Sequence, residues 1–151
     1  MQDDPQFGAP DAGIEYRDRP AAFGLALKDQ RLALVKVTYA DRASFFDLPG
    51  GAIDPGERPE QALIREFGEE TGLIVRAGAL LTKASQRFRK KDGEPVNNRC
   101  SFFEAVVEGA DEGLKIEQDH ELVWLEPIEA LKVLRLEAHA WALAAWLRKA
   151  P

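Results

Sequence analysis

Two apolar runs stand near the start of the chain. "AAFGLAL" (21–27) and "RLALVKV" (31–37) suit a pleated sheet, and the polar residues Lys28-Asp29-Gln30 between them predict a hairpin. "ALLTKASQRF" (79–88) and "RCSFFEAVVE" (99–108) predict two more strands, joined by the polar turn region "RKKDGEPVNN". "LVWLEP" (122–127) predicts a short strand ending at Pro127. "PIEALKVL" and "EAHAWALAAWLRK" (137–149) repeat apolar residues with a helical period. A further helix is predicted over 59–71. Pro59 suits its first position, where a missing N–H costs nothing, and Gly72 suits a left-handed cap after its end. "TYADRASF" (38–45) predicts a loop and residues 1–13 a loose arm ahead of one domain over 14–151. Strands, a helix, strands and helices in that order predict an α/β fold, a mixed sheet with helices on both faces.

The helix over 59–71 has an uneven charge pattern. At about 100° per residue, Glu69, Glu66 and Glu70 fall within about 140° of Arg65, on one side. Leu63, Phe67 and Ile64 fall between about 160° and 260°, the side expected to pack on the sheet. The acidic side is therefore expected to face away from the core. A solvated helix face usually interleaves lysines with its acids, and like charges one turn apart destabilise a helix. Only Arg65 is available here. A hard divalent cation would relieve the repulsion, because such ions prefer oxygen ligands, and Mg²⁺ also accepts substrate phosphate oxygens. Gly50-Gly51 lets a loop backbone approach that ion.

Composition narrows the classes. The chain has 151 residues, 45% of them hydrophobic and 30% charged, as one globular domain would have. Its formal net charge of -6 argues against non-specific binding to nucleic-acid backbone. The single cysteine, Cys100, allows no intramolecular disulfide and fits a reducing compartment and the core. The N-terminus lacks a basic region followed by an apolar run, and no apolar stretch is long enough to span a bilayer. A cytoplasmic location is the default expectation.

The stretch from Gly51 to Leu73 resembles the Nudix box, G-x5-E-x7-R-E-U-x-E-E-x-G-U, where U is a bulky apolar residue. Gly51, Glu57, Arg65-Glu66, Phe67, Glu69-Glu70 and Gly72-Leu73 fill its defined positions, with an aromatic Phe67 where aliphatic residues are commoner. The resemblance implies an α/β/α sandwich and a Mg²⁺- or Mn²⁺-dependent hydrolase that cleaves the pyrophosphate bond of a nucleoside diphosphate linked to a moiety X. It implies Glu66, Glu69 and Glu70 as metal ligands. Gly50 could add its carbonyl, and Glu57 could bind through water or brace the loop. Arg65 is expected to orient a box glutamate, since its fork suits a carboxylate. The general base is Glu66 within the box or Glu121 in "EQDHELVW", with His120 as a rival. A homodimer is compatible with this reading, and neither stable nucleic-acid binding nor a membrane is expected.

Arg87 and Arg89 alternate on a predicted strand and could share a face that holds phosphates. Lys90 and Lys91 belong equally to a polar hairpin tip. Phe46, with Phe45 or Phe88, could stack on a base, although each also suits the core, as do Trp124, Trp141 and Trp146. His139 on the last helix is expected to be structural. Residues marking ADP-ribose or diadenosine polyphosphate hydrolases are absent near Phe88 and Arg89, so the motif implies a reaction class without a substrate. Two alternatives stand beside it: a catalytically silent Nudix-fold module that binds nucleotide to regulate a partner, and a scaffold whose acidic helix is plain surface.

Overall fold

The computed structural model describes residues 3–149. The elements are β1 (Gln6–Phe7), β2 (Arg17–Lys28), β3 (Arg31–Val37), β4 (Phe45–Asp47), β5 (Gly50–Ala52), α1 (Pro59–Thr71), β6 (Leu73–Arg89), β7 (Pro95–Ala110), β8 (His120–Leu125), α2 (Pro127–Val133) and α3 (Glu137–Lys149). A one-turn 3₁₀ segment, Glu112–Leu114, lies before β8. The strands follow the order β1-β6-β7-β2-β3-β4, with β5 paired to β2 and β8 to β3. β2 runs parallel to β7 from Arg17↔Val96 to Ala26↔Ala105, while β6 and β7 are antiparallel. The sheet is thus mixed.

The β2–β3 hairpin forms where the sequence predicts it. Lys28 pairs with Arg31, so the turn is only Asp29-Gln30, and both residues have positive φ, 52° and 66°. Such a turn matches the right-handed twist of the strands it joins. β3 meets β2 only at this end and then inserts between β4 and β8. That divergence opens one end of the sheet.

Alternate residues of β2 face two separate cores. Ala21, Phe23 and Leu25 pack toward α2 and α3 with Phe102, Ala138, Ala142 and Leu143. Ala22 and Ala26 pack toward α1 with Leu63, Phe67 and Phe103. The helices therefore cover both faces, as the period of two in a strand and 3.6 in a helix requires. Gly24 is where α1 comes closest. A Cβ there would lie 2.7 Å from the Phe67 ring and 2.9 Å from Leu63 Cδ1. Both predicted caps of α1 are present: Pro59 opens it, and Gly72 has φ 75° and donates its N–H to Gly68 O.

Several boundaries differ from expectation. β6 and β7 extend through much of the segment read as a polar turn, leaving only Lys90–Glu94 between them. The cause is tertiary. Asn97 and Asn98 are buried polar residues whose side chains bond Gln6, Asp18 and Arg19. Within the arm, Gln6–Phe7 forms a strand beside Ser85-Gln86. Phe45, placed in a loop by the sequence, begins β4. Ile64 is 43% exposed rather than packed on the sheet, because it lies at the edge of the apolar sector. Trp141 and Trp146 are partly buried at the rim of the α3-side core, and Trp124 at the rim of the other. Cys100 is buried as expected, and burial pushes its thiol pKa up to about 12. No helix among the described residues is long and apolar enough to cross a membrane.

Candidate active site

Gly50 and Gly51 in β5 form one wall of the site. β5 pairs with β2 through Phe23↔Gly50 and Ala22↔Gly51. Gly50 has φ 146°, and a Cβ on it would lie 2.2 Å from Ala22 O. Only glycine fits this close approach. Its N–H donates to Glu70 Oε1 at 2.9 Å, Pro49 O accepts from Gly24 N–H at 3.0 Å, and Leu48 N–H donates to His139 Nδ1 at 3.1 Å. Three elements thus hold the loop that precedes Gly51. At Gly51 a Cβ would lie 2.8 Å from Glu66 Cδ, so the glycine admits that carboxylate.

Arg65 is the hub of the acidic side of α1. Its Nε and Nη2 donate to Glu57 at 2.9 Å each, and Nη2 also reaches Ala52 O at 3.0 Å. Its Nη1 donates to Glu66 Oε1 at 3.0 Å and to Glu69 Oε2 at 3.2 Å. These bonds hold Arg65 against all three carboxylates. The guanidinium beside Glu57 holds that carboxyl down at about 2, and Glu57's own contact raises Arg65. Burial raises Glu66, and Arg65 partly offsets it.

Glu70 departs from expectation. It does not face solvent with the other two but is buried, with 6% exposure. The helical sector it occupies turns toward β5 and β8, where it meets Gly50 N–H and His120 Nε2, the latter at 3.2 Å. Burial pushes its carboxyl up, opposed by His120. His120 is itself held above its ordinary value: burial lowers it, but Glu70 and then Asp119, 2.8 Å from Nδ1, outweigh that.

The structure does not bring Glu121 to this cluster. On β8, His120, Leu122 and Trp124 face α1, whereas Glu121 is exposed on the side of Val123 and Leu125, opposite Lys36. Adjacent strand residues point to opposite faces, so His120 and Glu121 cannot both enter the site. The loop before β8 supplies carboxylates instead. Glu117, Asp119 and His120 offer ligand atoms within 4.8 Å of one another. Glu117 and Asp119 follow no periodic pattern along the chain; their place depends on Ile116 and Glu117 N–H groups docking on Glu69 O.

Beside Gly50 and Gly51 a cleft is lined by Arg19, Tyr39, Phe45, Phe88, Asn98 and Arg135, among others. Phe46 is not among them. It packs on the α3-side core, and its neighbour Phe45 faces the cleft beneath the Arg135 guanidinium, 3.7 Å from the ring centroid. Arg87 and Arg89 do share a side, but it faces the N-terminal segment. Arg87 Nη1 donates to Gly8 O at 3.1 Å, and Arg89 pairs with Asp11 at 2.9 Å on the cleft rim. Arg19, Asn98 and Arg135 went unnoticed in the sequence because they are distant from the box and only the sheet gathers them.

Replacing Arg65 with Ala leaves three half-buried carboxylates without their shared cation. The expected loss is about 2–3 kcal/mol in a urea melt, below that of a fully buried pair because the guanidinium is 29% exposed. Millimolar Mg²⁺ should raise the variant's Tm more than the wild type's, since a bound cation replaces the missing charge. Equal shifts would show that the carboxylates do not converge on a cation.

An α/β/α sandwich with an acidic helix behind a double glycine defines the class. The profile of the NUDIX domain family matches residues 17–147, and the chain belongs to that family. A putative 8-oxo-dGTP diphosphatase 3 of Mycobacterium tuberculosis is 31% identical over 150 residues, 93% of this chain and 67% of that protein. An ADP-ribose pyrophosphatase of Methanocaldococcus jannaschii is 36% identical over 77 residues, 51% of this chain but only 46% of that protein. A NUDIX hydrolase from Nitrosomonas europaea has the same fold, with a TM-score of 0.74 at 19% identity over 87% of this chain and 90% of that one.

Proposed function

We propose that this protein is a divalent-metal-dependent pyrophosphohydrolase acting on a nucleoside diphosphate linked to a further group. One observation carries the reading: Glu66 and Glu69 converge on a single nitrogen of Arg65, with Glu66 packed against Gly51 at the mouth of the cleft. The donor set fits a hard cation. Glu66 and Glu69 offer carboxylate oxygens, and one guanidinium offsets three acids. Glu66, Glu69 and the Gly50 carbonyl would hold the ion, with buried Glu70 fixing the loop that presents Gly50. Bound there, Mg²⁺ or Mn²⁺ would neutralise phosphate oxygens and favour ionisation of water.

The chain's own residues do the rest. Arg65 keeps Glu66 and Glu69 oriented, and the pinned loop keeps Gly50 in place. Glu66 takes the proton of the attacking water: Glu121 faces away from α1 on β8, and both ring nitrogens of His120 are engaged by Glu70 and Asp119. The named relatives act, by their names, on 8-oxo-dGTP and on ADP-ribose, and both are substrates to try. A screen of oxidised nucleotides, nucleoside triphosphates, ADP-sugars and dinucleoside polyphosphates tests the reading. Phosphate or nucleotide release is expected with Mg²⁺ or Mn²⁺ and none in excess chelator. Full turnover in chelator would refute it.

A further inference from the structure

Among the described residues, one cation lining the cleft forms no ion pair with a carboxylate. Of those lining it, Arg42 pairs with Asp41, Arg89 with Asp11, Lys90 with Glu94, Lys91 with Asp119 and Arg135 with Asp47. Arg19 pairs with no carboxylate among the described residues. Its Nε donates to Asn98 Oδ1 at 2.8 Å, and its guanidinium lies 5.7 Å from the Phe88 ring centroid. It is half-buried, and burial lowers its pKa. Glu66 and Glu94 act on it only through space, so a ligand that brings negative charge into contact would offset the cost of its burial.

Asn98 adds a second, independent observation. It is 2% exposed, yet it lines the cleft. The bond from Arg19 fixes Oδ1 as its acceptor, so its Nδ2 is a donor, and that nitrogen has no partner among the described residues. It is not sealed off either. Among the described residues the one fully buried side-chain nitrogen or oxygen without a partner is His139 Nε2. The two residues face each other across the parallel β2–β7 pair, so rigid strands set their spacing. Together they present only donors, one of them cationic. Such a pair suits an anionic oxygen, since charge-assisted bonds to phosphate are roughly twice as strong as neutral ones.

We propose that Arg19 and Asn98 form an anion subsite that takes a phosphoryl oxygen of the bound substrate. The proposal deepens the hydrolase reading and rests on it for the identity of the ligand. Ile53 N–H donates to Pro20 O, so the strand end bearing Arg19 adjoins the loop that follows Gly51. A phosphate chain running from the acidic cluster past Gly51 would reach the pair. The subsite thereby selects substrates by the placement of a phosphate and not by the base.

Titration calorimetry with inorganic pyrophosphate and Mg²⁺ tests this. Arg19→Gln is expected to weaken binding about tenfold to hundredfold, as loss of a hydrogen bond to a charged group does. Asn98→Asp places a carboxylate against Arg19. It should weaken pyrophosphate binding as much while raising Tm, an outcome that misfolding cannot mimic. Arg76→Gln, on the exposed part of β6, controls for general loss of positive charge. On the best nucleotide substrate both cleft variants should raise KM and leave kcat within about threefold. No binding by the wild type, unchanged affinity in both cleft variants, or an equal loss in Arg76→Gln would overturn the subsite. If no substrate is turned over but Asn98→Asp still weakens pyrophosphate binding while raising Tm, the hydrolase reading fails and the subsite stands.

Discussion

Glu66→Gln is expected to lower kcat by about 10²- to 10⁴-fold on the best substrate while the protein stays folded. The substitution keeps the shape of the side chain that packs on Gly51 and keeps an oxygen for Arg65 Nη1. It removes the charge that a cation and a proton would need. Excess Mn²⁺ should restore part of the loss that comes from weaker metal binding, but not the part that comes from the missing base. Glu121→Gln should stay within about twofold of wild type. It is exposed and opposite Lys36, on the side of β8 away from α1. The contrast is decisive in either direction. Near-normal turnover in Glu66→Gln, or a hundredfold loss in Glu121→Gln, would move the chemistry out of the box.

The second large effect is on stability and belongs to His139. The ring is fully buried between Phe23 and Phe102, with centroids 4.4 and 5.7 Å away. Its Nδ1 accepts from Leu48 N–H, so Nε2 carries the proton of the neutral form. Burial holds its pKa at about 4, against an ordinary 6.5, while Asp47 acts to raise it and Arg135 to lower it. The folded state therefore favours the neutral ring. Its contribution is fully present above about pH 6.5 and is lost as the pH falls toward 4, where the unfolded chain binds a proton that the folded protein resists. The stability difference between wild type and His139→Gln should shrink by on the order of 3 kcal/mol from pH 7.5 to pH 4. Comparing the two proteins in urea melts cancels the carboxylates that titrate over the same range. A difference that does not vary with pH would mean that the ring is not held neutral. Because His139 anchors Leu48, two residues before Gly50, its protonation should also loosen the loop that presents Gly50.

The sequence by itself determined α1, its caps and the content of its acidic side. Those depend on spacing along one helix, and one helix obeys local rules. It also determined the β2–β3 hairpin, whose two-residue turn is a local device, and the alternation that sends β2 to two cores. The fixed letters from Gly51 to Leu73 carried the family as well, because their spacing is a property of the chain and needs no contacts.

What each side chain meets was decided elsewhere. Glu66, Glu69 and Glu70 are one cluster on a helical wheel, but only the packing of β5 and β8 against α1 buries Glu70 and leaves the other two partly exposed beside Arg65. Glu121 looked equivalent to His120 until a strand register separated their faces. Phe45 and Phe46 exchanged roles for the same reason, since a period of two puts one in the cleft and the other in the core. Arg19 and Asn98 stand 79 residues apart and meet only because β2 and β7 run parallel in one register. A pairing across that separation leaves no periodic trace in the chain. It arises from closing the sheet, which is a tertiary event whose partners are chosen by burial rather than by neighbours in sequence.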